Sequence, residues 1–260
     1  MIGKLERGFL ALSVEDYIKR ISDLWKTVFA MAEILDKKVC LNPVAILFDW
    51  DGVLVDTKEL IAEAYLKTFE AVGMDPLPID TLHQLPGTSL RDYFPHIFGA
   101  RAKEAETTFY RHIHENHLSC LKQTEGAGEV LAFLHTLGMP MAVISNKRGD
   151  ILRKEIKHLG FESFFFEVVG SKDCPEDKPS AVPVRYILSK KKIPLPNDRV
   201  WLVGDWLADL ECAHRAGVVP VLLNNPKLKR DKKNLFPPKI YLNSCLDLKN
   251  FLIQYMKENN

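Results

Sequence analysis

The sequence has few cysteines, almost no net charge and no long apolar run. Its five cysteines are odd in number and contain no C-x-x-C pair, which argues against a disulfide framework and favours a reducing, cytoplasmic location. The 35 basic residues nearly balance the 34 acidic ones, leaving a net charge of +1. This balance argues against an extended nucleic-acid-binding surface. No apolar run approaches the roughly 18 residues that cross a bilayer, so a membrane protein is not expected either.

The N-terminal part carries acidic residues where a secretory signal would be basic and then apolar, so no export signal is predicted. Residues 1–43 are interpreted instead as a helical extension, with one amphipathic helix over 13–36. A capping box of Ser13 and Asp16 begins this helix. Its polar face mixes both charge signs, which disfavours binding to a membrane surface. Packing on the core or a homodimer contact is the expected use.

Helix and strand patterns alternate strictly from residue 125 onward, which predicts an α/β fold. The core should be a Rossmann-like parallel sheet with helices on both faces, built from residues 44–56 and 125–260. Residues 57–124 are predominantly helical in pattern and form an expected helical module inserted between the first two strands. The expected strands cover 44–49, 139–145, 164–170, 200–204 and 218–223, and the clearest helices cover 58–72, 101–121, 126–137, 149–159, 180–190, 207–216 and 246–257.

Carboxylates follow two of these strands. Asp49 and Asp51 end the first strand, where Gly52 allows a sharp turn, and Asp205 and Asp209 follow the fourth strand. Burying several carboxylates close together is unfavourable without a cation. Oxygen-only ligands favour Mg²⁺, so these strand ends predict a magnesium site.

A hydroxyl, a backbone N–H and a lysine accompany the carboxylates. Ser145 ends another strand and Asn146 follows it, and Lys178 stands before a helix. Such groups suit phosphoryl transfer to a carboxylate, because they offset the repulsion between an attacking aspartate and a phosphate. A second carboxyl two residues beyond the nucleophile can protonate the leaving oxygen and then activate water.

In order and spacing, these segments resemble the four motifs of the haloacid dehalogenase-like (HAD) hydrolases. The resemblance covers about residues 44–246 and implies a type 1 helical cap. The matching residues are Asp49, Asp51, Gly52, Leu54 and Asp56 in the first motif, Ser145 in the second, Lys178 in the third, and Gly204, Asp205 and Asp209 in the fourth.

The resemblance implies a role for each matched residue. Asp49 would be the nucleophile and Asp51 the general acid/base, with Ser145 and Lys178 completing the catalytic set. Phosphate would be bound by Ser145, the main chain of Asn146 and Lys178. Mg²⁺ would be held by the carboxylates of Asp49 and Asp205 and the main-chain carbonyl of Asp51, and Asp209 would support these ligands.

The implied activity is that of a Mg²⁺-dependent phosphatase acting on a small phosphorylated metabolite. Asp51 argues against a dehalogenase or a phosphonate hydrolase, because those relatives lack an aspartate at this position. The Ser145-Asn146-Lys147 segment looks most like that of phosphoglycolate phosphatases, and Lys147 suits a small anionic substrate. A sugar phosphomutase and a non-catalytic regulatory module that retains the fold are the alternatives. Selectivity is expected from cap residues such as Leu85, Pro86, Gly87, Thr88 and Arg91.

Three other features carry less chemical information. Trp206 stands where relatives more often have Ser or Thr. The basic run from Lys227 to Lys233 is expected to be a solvated loop, with steering of anionic substrates as the alternative. His112, His114 and His117 do not share one helix face, so a solvated helix surface is expected rather than a metal site.

Overall fold

The computed structural model describes residues 42–76, 89–231 and 233–258. Nearly all of the predicted N-terminal extension lies outside the described residues, including the helix predicted over 13–36 and the homodimer contact assigned to it. The expected cap residues 85–88 lie outside them as well. None of the described helices has the length and apolarity needed to cross a membrane. The described cysteines, Cys120, Cys174, Cys212 and Cys245, are all free thiols.

Eight strands lie in the described part of the chain, and six of them form one parallel sheet. In chain order the strands are β1 (Ala45–Phe48), β2 (Val55–Asp56), β3 (Lys122–Gln123), β4 (Met141–Arg148), β5 (Glu167–Ser171), β6 (Val200–Gly204), β7 (Val219–Leu223) and β8 (Ile240–Leu242). The sheet order is β5-β4-β1-β6-β7-β8, with every pairing parallel. The first strand is therefore central, between β4 and β6.

Nine α-helices connect or follow these strands within the described ranges. They are α1 (Lys58–Ala71), α2 (Leu90–Phe98), α3 (Ala102–Asn116), α4 (Ala127–Thr136), α5 (Gly149–His158), α6 (Val182–Lys190), α7 (Leu207–Ala216), α8 (Pro226–Arg230) and α9 (Cys245–Glu258). Short 3₁₀ turns add Gly99–Arg101 and Glu162–Phe164.

Both faces of the central strand are buried. Ala45 and Leu47 share an apolar cluster with Val184 of α6 and Cys212 of α7. Ile46 and Phe48 alternate with them along the strand, point to the opposite face and are also fully buried. A parallel sheet covered on both faces is the architecture that the alternating pattern predicted, so the α/β fold class is confirmed.

Helices α1, α2 and α3 lie in the chain between β2 and β3, within the predicted insertion. The two short strands pair antiparallel, with Val55 opposite Gln123, so the ends of this segment are held side by side. The helices share their own apolar cluster, in which the Tyr65, Phe94 and Phe109 rings meet at centroid distances of 5.1–6.0 Å.

Some elements differ from the sequence-based expectation. Strand β8 was not predicted, because three residues are too few to establish an alternating pattern. The sequence pattern did not predict α2 as a separate helix. This helix contains Pro95, a residue that usually interrupts a helical pattern. The helix expected over 101–121 ends at Asn116, and β4 extends three residues beyond the predicted end at Ser145.

Candidate active site

The sheet order brings the chemically active strand ends to one edge. Because β1 lies between β4 and β6, Asp49 and Asp205 directly follow the carboxyl ends of two adjacent strands, and Ser145 lies in the second half of the strand on the other side of β1. The main-chain N–H of Asp49 donates to the carbonyl of Val203, 2.8 Å away, which continues the pairing of β1 with β6 up to the first aspartate.

Three carboxylates converge at this edge. One oxygen from each of Asp49, Asp205 and Asp209 lies within 4.8 Å of the others. The ammonium of Lys178 lies 2.7 Å from Oδ1 of Asp49 and 2.6 Å from Oδ1 of Asp209. The Lys178 side chain is only 2% exposed, so these ion pairs are shielded from water. One lysine among three carboxylates leaves two negative charges when all are ionised.

Burial and neighbouring charges shift the pKa values of Asp49, Asp205 and Lys178. Burial and the carboxylate of Asp209 raise the pKa of Asp49 to about 7, although Lys178 acts in the opposite direction. Burial, with Asp49 and Asp209 nearby, also raises the pKa of Asp205 well above its ordinary value. Burial alone would lower the pKa of Lys178, but the carboxylates of Asp209 and Asp49 raise it overall. The donor set is purely oxygen and short of positive charge, which fits a divalent cation such as Mg²⁺.

The side chain of Asn146 holds the main chain of Lys178. Its Nδ2 donates to the Lys178 carbonyl at 2.9 Å, and its Oδ1 accepts from the Lys178 N–H at 3.0 Å. The neighbouring Ser145 is buried, and its hydroxyl accepts from the main-chain N–H of Lys147 at 3.1 Å. The sequence resemblance assigned Asn146 only through its main chain, so this positioning by the side chain is a feature that the sequence did not reveal.

Asp209 is fixed on both of its carboxylate oxygens. Its Oδ1 accepts from Lys178, and its Oδ2 accepts from the main-chain N–H of Trp206 at 3.0 Å. Trp206 stands immediately before α7, and Asp209 is the third residue of that helix. The bond to Asp209 uses the main chain of residue 206 and places no requirement on its side chain.

Asp51 lies apart from the three-carboxylate group. Its Oδ1 accepts from the Thr57 hydroxyl at 2.5 Å and from the Lys147 ammonium at 2.7 Å. Lys147 also donates to Glu155 at 2.7 Å, and its side chain is only 8% exposed. The sequence associated Lys147 with an anionic substrate, whereas the structure places its ammonium between two carboxylates of the protein.

Glu155, to which the sequence assigned no role, completes this side of the site. Glu155 is fully buried and contacts Lys147, Trp50 and His117. The expectation of a solvated histidine surface is therefore wrong for His117, which is 3% exposed and lies just beyond the end of α3. One signal could have identified Glu155: it is an acidic residue on the apolar stripe of α5, beside Ile151, Leu152 and Ile156.

Two further features of the sequence, Arg91 and the basic run, have defined positions in the structure. Arg91 in α2 lies 3.3 Å from the buried carboxylate of Asp177, an ion pair between the inserted helices and the core. Lys227, Lys229, Arg230 and Lys233 are exposed, as expected, but the first three lie in helix α8 rather than in the predicted loop. The segment also lies near the site, because the Asn225 side chain, just before α8, donates to the Asp205 carbonyl at 2.8 Å.

Gly52 must be a glycine on two counts. Its φ of +79° lies in the left-handed region, and a Cβ at this position would overlap the Asp205 carboxylate. We expect Gly52→Ala to displace Asp205 and to raise the Mg²⁺ concentration needed for half-maximal activity at least about tenfold, equivalent to about 1.4 kcal/mol. Titration of activity with Mg²⁺ measures this change.

The matched control for that variant is Gly138→Ala. Gly138 has a similar φ of +65°, but a Cβ there meets nothing within 4 Å. The control therefore reproduces the backbone strain without the overlap, and its Mg²⁺ dependence should remain that of the parent protein. An equal change in both variants would mean that strain, rather than displacement of Asp205, causes the effect.

Comparison with known proteins links this geometry to a family. A sequence profile described as haloacid dehalogenase-like hydrolase matches residues 46–222. The chain is 28% identical over 203 residues to pyrophosphatase PpaX of Halalkalibacterium halodurans, covering 78% of this chain and 94% of that protein. It is 31% identical over 186 residues to phosphoglycolate phosphatase of Neisseria meningitidis, covering 68% and 78%. A crystal structure of a HAD-superfamily hydrolase from Ehrlichia chaffeensis matches with a TM-score of 0.56 and 27% identity, covering 83% of this chain and 98% of that one.

Proposed function

The chain belongs to the haloacid dehalogenase-like hydrolase family, and from that premise we propose that it is a Mg²⁺-dependent phosphatase. Its substrate is a small phosphomonoester, and its reaction passes through an aspartyl-phosphate on Asp49. The observation that carries the proposal is the convergence of the Asp49, Asp205 and Asp209 carboxylates, with the buried ammonium of Lys178 paired to Asp49 and Asp209. This arrangement combines a nucleophile, a cation site and a fixed positive charge at one sheet edge.

The first half of the reaction forms the covalent intermediate. A carboxylate oxygen of Asp49 attacks phosphorus, the bond from phosphorus to the ester oxygen breaks, and Asp51 gives its proton to that leaving oxygen. The Ser145 hydroxyl and the Asn146 main-chain N–H donate to the phosphoryl oxygens, and Lys178 offsets their charge. A Mg²⁺ ion held by Asp49, Asp205 and the Asp51 carbonyl, with Asp209 in support, would neutralise further charge on those oxygens.

The second half regenerates the enzyme. Asp51, now a carboxylate, removes a proton from a water whose oxygen attacks phosphorus. The bond between phosphorus and Asp49 breaks, inorganic phosphate leaves, and Asp51 is again protonated for the next cycle. One carboxyl therefore serves as acid in the first step and as base in the second, which is consistent with its separation from the three-carboxylate group.

The inserted segment 57–124 is proposed as a cap over the core formed by 44–56 and 125–260. Polar contacts join it to residues beside the site: Ser89 lies 3.1 Å from Ser171, and Lys172 lies 2.7 Å from Glu106. A cap that closes by such contacts excludes bulk water while the aspartyl-phosphate exists. Exclusion of water also strengthens the electrostatic interactions within the site.

The substrate is proposed to be a small phosphorylated metabolite, with phosphoglycolate among the better ones. Two relatives are named for phosphoglycolate and for pyrophosphate, and both compounds are small and anionic. Helix α8, whose basic side chains are exposed, begins directly after Asn225, and the Asn225 side chain donates to the Asp205 carbonyl. Positive charge in this segment would raise the local concentration of such an anion.

Phosphate release distinguishes a phosphatase from a mutase. We expect inorganic phosphate in stoichiometric amounts from phosphoglycolate, with no need for a sugar bisphosphate, because Asp51 can activate water. A panel of phosphoglycolate, pyrophosphate, p-nitrophenyl phosphate and hexose phosphates, scored by phosphate release, measures this. Isomerised hexose phosphate without phosphate release would instead favour a phosphomutase. A complete lack of turnover with Mg²⁺ present would favour the non-catalytic module.

A further inference from the structure

Glu155 is a buried carboxylate whose partners come from three separate parts of the chain. Its Oε2 accepts from the Trp50 indole N–H at 2.6 Å and from the Lys147 ammonium at 2.7 Å. Its Oε1 lies 3.0 Å from Nδ1 of His117. The side chain of Glu155 is fully buried, and a buried carboxylate is stable only when such partners satisfy it.

The three partners connect Glu155 to both sides of the reaction centre. Trp50 stands between Asp49 and Asp51 in sequence, so its indole bond ties Glu155 to the loop that carries both aspartates. His117 follows α3, so its contact ties Glu155 to the inserted helices. Lys147 extends from β4, and its ammonium lies between Glu155 and Asp51.

Lys147 determines how the Asp51 carboxyl is held. Lys147 and Thr57 both donate to Oδ1 of Asp51, which leaves Oδ2 as the oxygen available for proton exchange. A lysine side chain has several freely rotating bonds, so one contact by itself would hold a carboxyl loosely. The second ion pair, to Glu155, fixes the ammonium and with it the direction of the Asp51 carboxyl.

We propose that Glu155 is a positioning residue which, acting through Lys147, holds Asp51 in the orientation from which it protonates the leaving oxygen. The inference rests on the proposed function, in which Asp51 is the general acid. It adds the prediction that the proton donor is aligned by a carboxylate that touches neither substrate nor cation. Because His117 contacts the same carboxylate, the alignment also depends on the packing of the inserted helices against α5.

The experiment compares two substrates that differ in their need for a proton donor. Phosphoglycolate has an alkoxide leaving group that requires protonation, whereas p-nitrophenolate leaves without it. The ratio kcat/KM reports the steps up to loss of the leaving group. In Glu155→Gln we expect kcat/KM for phosphoglycolate to fall roughly 10- to 100-fold, part of the roughly 10²–10⁴-fold that general acid catalysis supplies. For p-nitrophenyl phosphate the same variant should lose less than about threefold.

The ratio of the two kcat/KM values does not depend on the fraction of folded enzyme, so a destabilised variant still gives an answer. Glu155→Asp keeps the negative charge on a side chain that is one methylene shorter. Its kcat/KM should again fall more for phosphoglycolate than for p-nitrophenyl phosphate, but by a smaller factor than in Glu155→Gln. Glu129→Gln is the matched control, because Glu129 also pairs with a lysine, Lys249, at 2.7 Å but on the surface. It should change neither substrate's kcat/KM.

Equal losses for both substrates in Glu155→Gln, or no loss, would overturn the inference. The double variant with Lys147→Gln supplies an independent check, since residues that act in one chain have non-additive effects. In the double variant, kcat/KM for phosphoglycolate should fall no further than in Lys147→Gln alone. A loss equal to the product of the two single losses would also count against the inference. Failure of the proposed function is separate, because the unaltered protein would then release phosphate from neither substrate.

Discussion

Replacing Asp49 with asparagine is expected to abolish turnover while the protein stays folded. Asparagine is nearly isosteric with aspartate, but its amide cannot form the acyl-phosphate on which the proposed reaction depends. Removal of a catalytic nucleophile can reduce kcat by roughly 10⁶-fold, and a loss that approaches this size is expected here. Phosphate release from phosphoglycolate in the presence of Mg²⁺ measures it.

The stability of the same variant separates chemistry from folding. Because burial and Asp209 raise the pKa of Asp49, the charged form is disfavoured in the metal-free fold. The Tm of Asp49→Asn in metal-free buffer should therefore equal or exceed that of the parent protein. Asp247→Asn is a suitable control, since Asp247 accepts hydrogen bonds from Asn243 at the surface. Retention of parental activity in Asp49→Asn would refute the assignment of Asp49 as the nucleophile.

Removal of divalent cations with a chelator is the second change expected to eliminate activity, again without unfolding. The three carboxylates are held by β1, β6 and α7, and Lys178 already offsets part of their charge, so the fold does not require the ion. Added Mg²⁺ should restore activity, while Ca²⁺, which prefers looser and higher coordination, should restore it poorly. Full activity in excess chelator would contradict the proposed cation site.

Cation binding should also stabilise the protein in a pH-dependent way. Because folding raises the pKa of Asp49 from 3.8 to about 7, Asp49 keeps its proton in the folded chain between these pH values. In the unfolded chain the same carboxyl is ionised in that range. In metal-free protein, proton binding by Asp49 therefore favours the folded state. This contribution to the free energy of unfolding is fully present below pH 3.8 and is lost as the pH rises to about 7. Mg²⁺ at 100 times its Kd adds about 2.7 kcal/mol.

The increase in Tm caused by Mg²⁺ should therefore be larger near pH 8 than near pH 5, because protons compete with the cation for the same carboxylates. Differential scanning calorimetry with and without Mg²⁺ at the two pH values measures the difference. An increase that is the same at both pH values would argue against cation binding by Asp49 and Asp205.

The primary candidates at the site were all visible in the sequence. Asp49 and Asp205 are recognisable because each follows a predicted strand, Ser145 because it ends another, and Lys178 because it precedes a predicted helix. Such positions can be read from hydrophobic periodicity. Parallel strands bring their carboxyl ends to one edge, so the convergence of these groups follows once the alternating pattern is accepted. The family resemblance then supplied the roles that periodicity could not.

Other residues could be recognised only in the folded chain. Glu155 is 105 residues from Trp50 and 38 from His117, and no local pattern indicates that these three side chains meet. The sequence marked His117 as solvated and Lys147 as a substrate contact, but both lie buried against Glu155. Their environment depends on how α5 packs against the inserted helices, which is a long-range property.

The sequence by itself determined the α/β architecture, and it predicted the acidic strand ends and the candidate residues for the chemistry. These predictions depend on hydrophobic periodicity and on the order of the elements, and both can be read along the chain without knowing its long-range contacts. Only the tertiary structure decided how each group is held: Asn146 on the main chain of Lys178, Trp206 on Asp209, and Lys147 between Asp51 and Glu155. The reason is physical, because the orientation of a buried polar group is set by whichever partners the packing places within hydrogen-bonding distance.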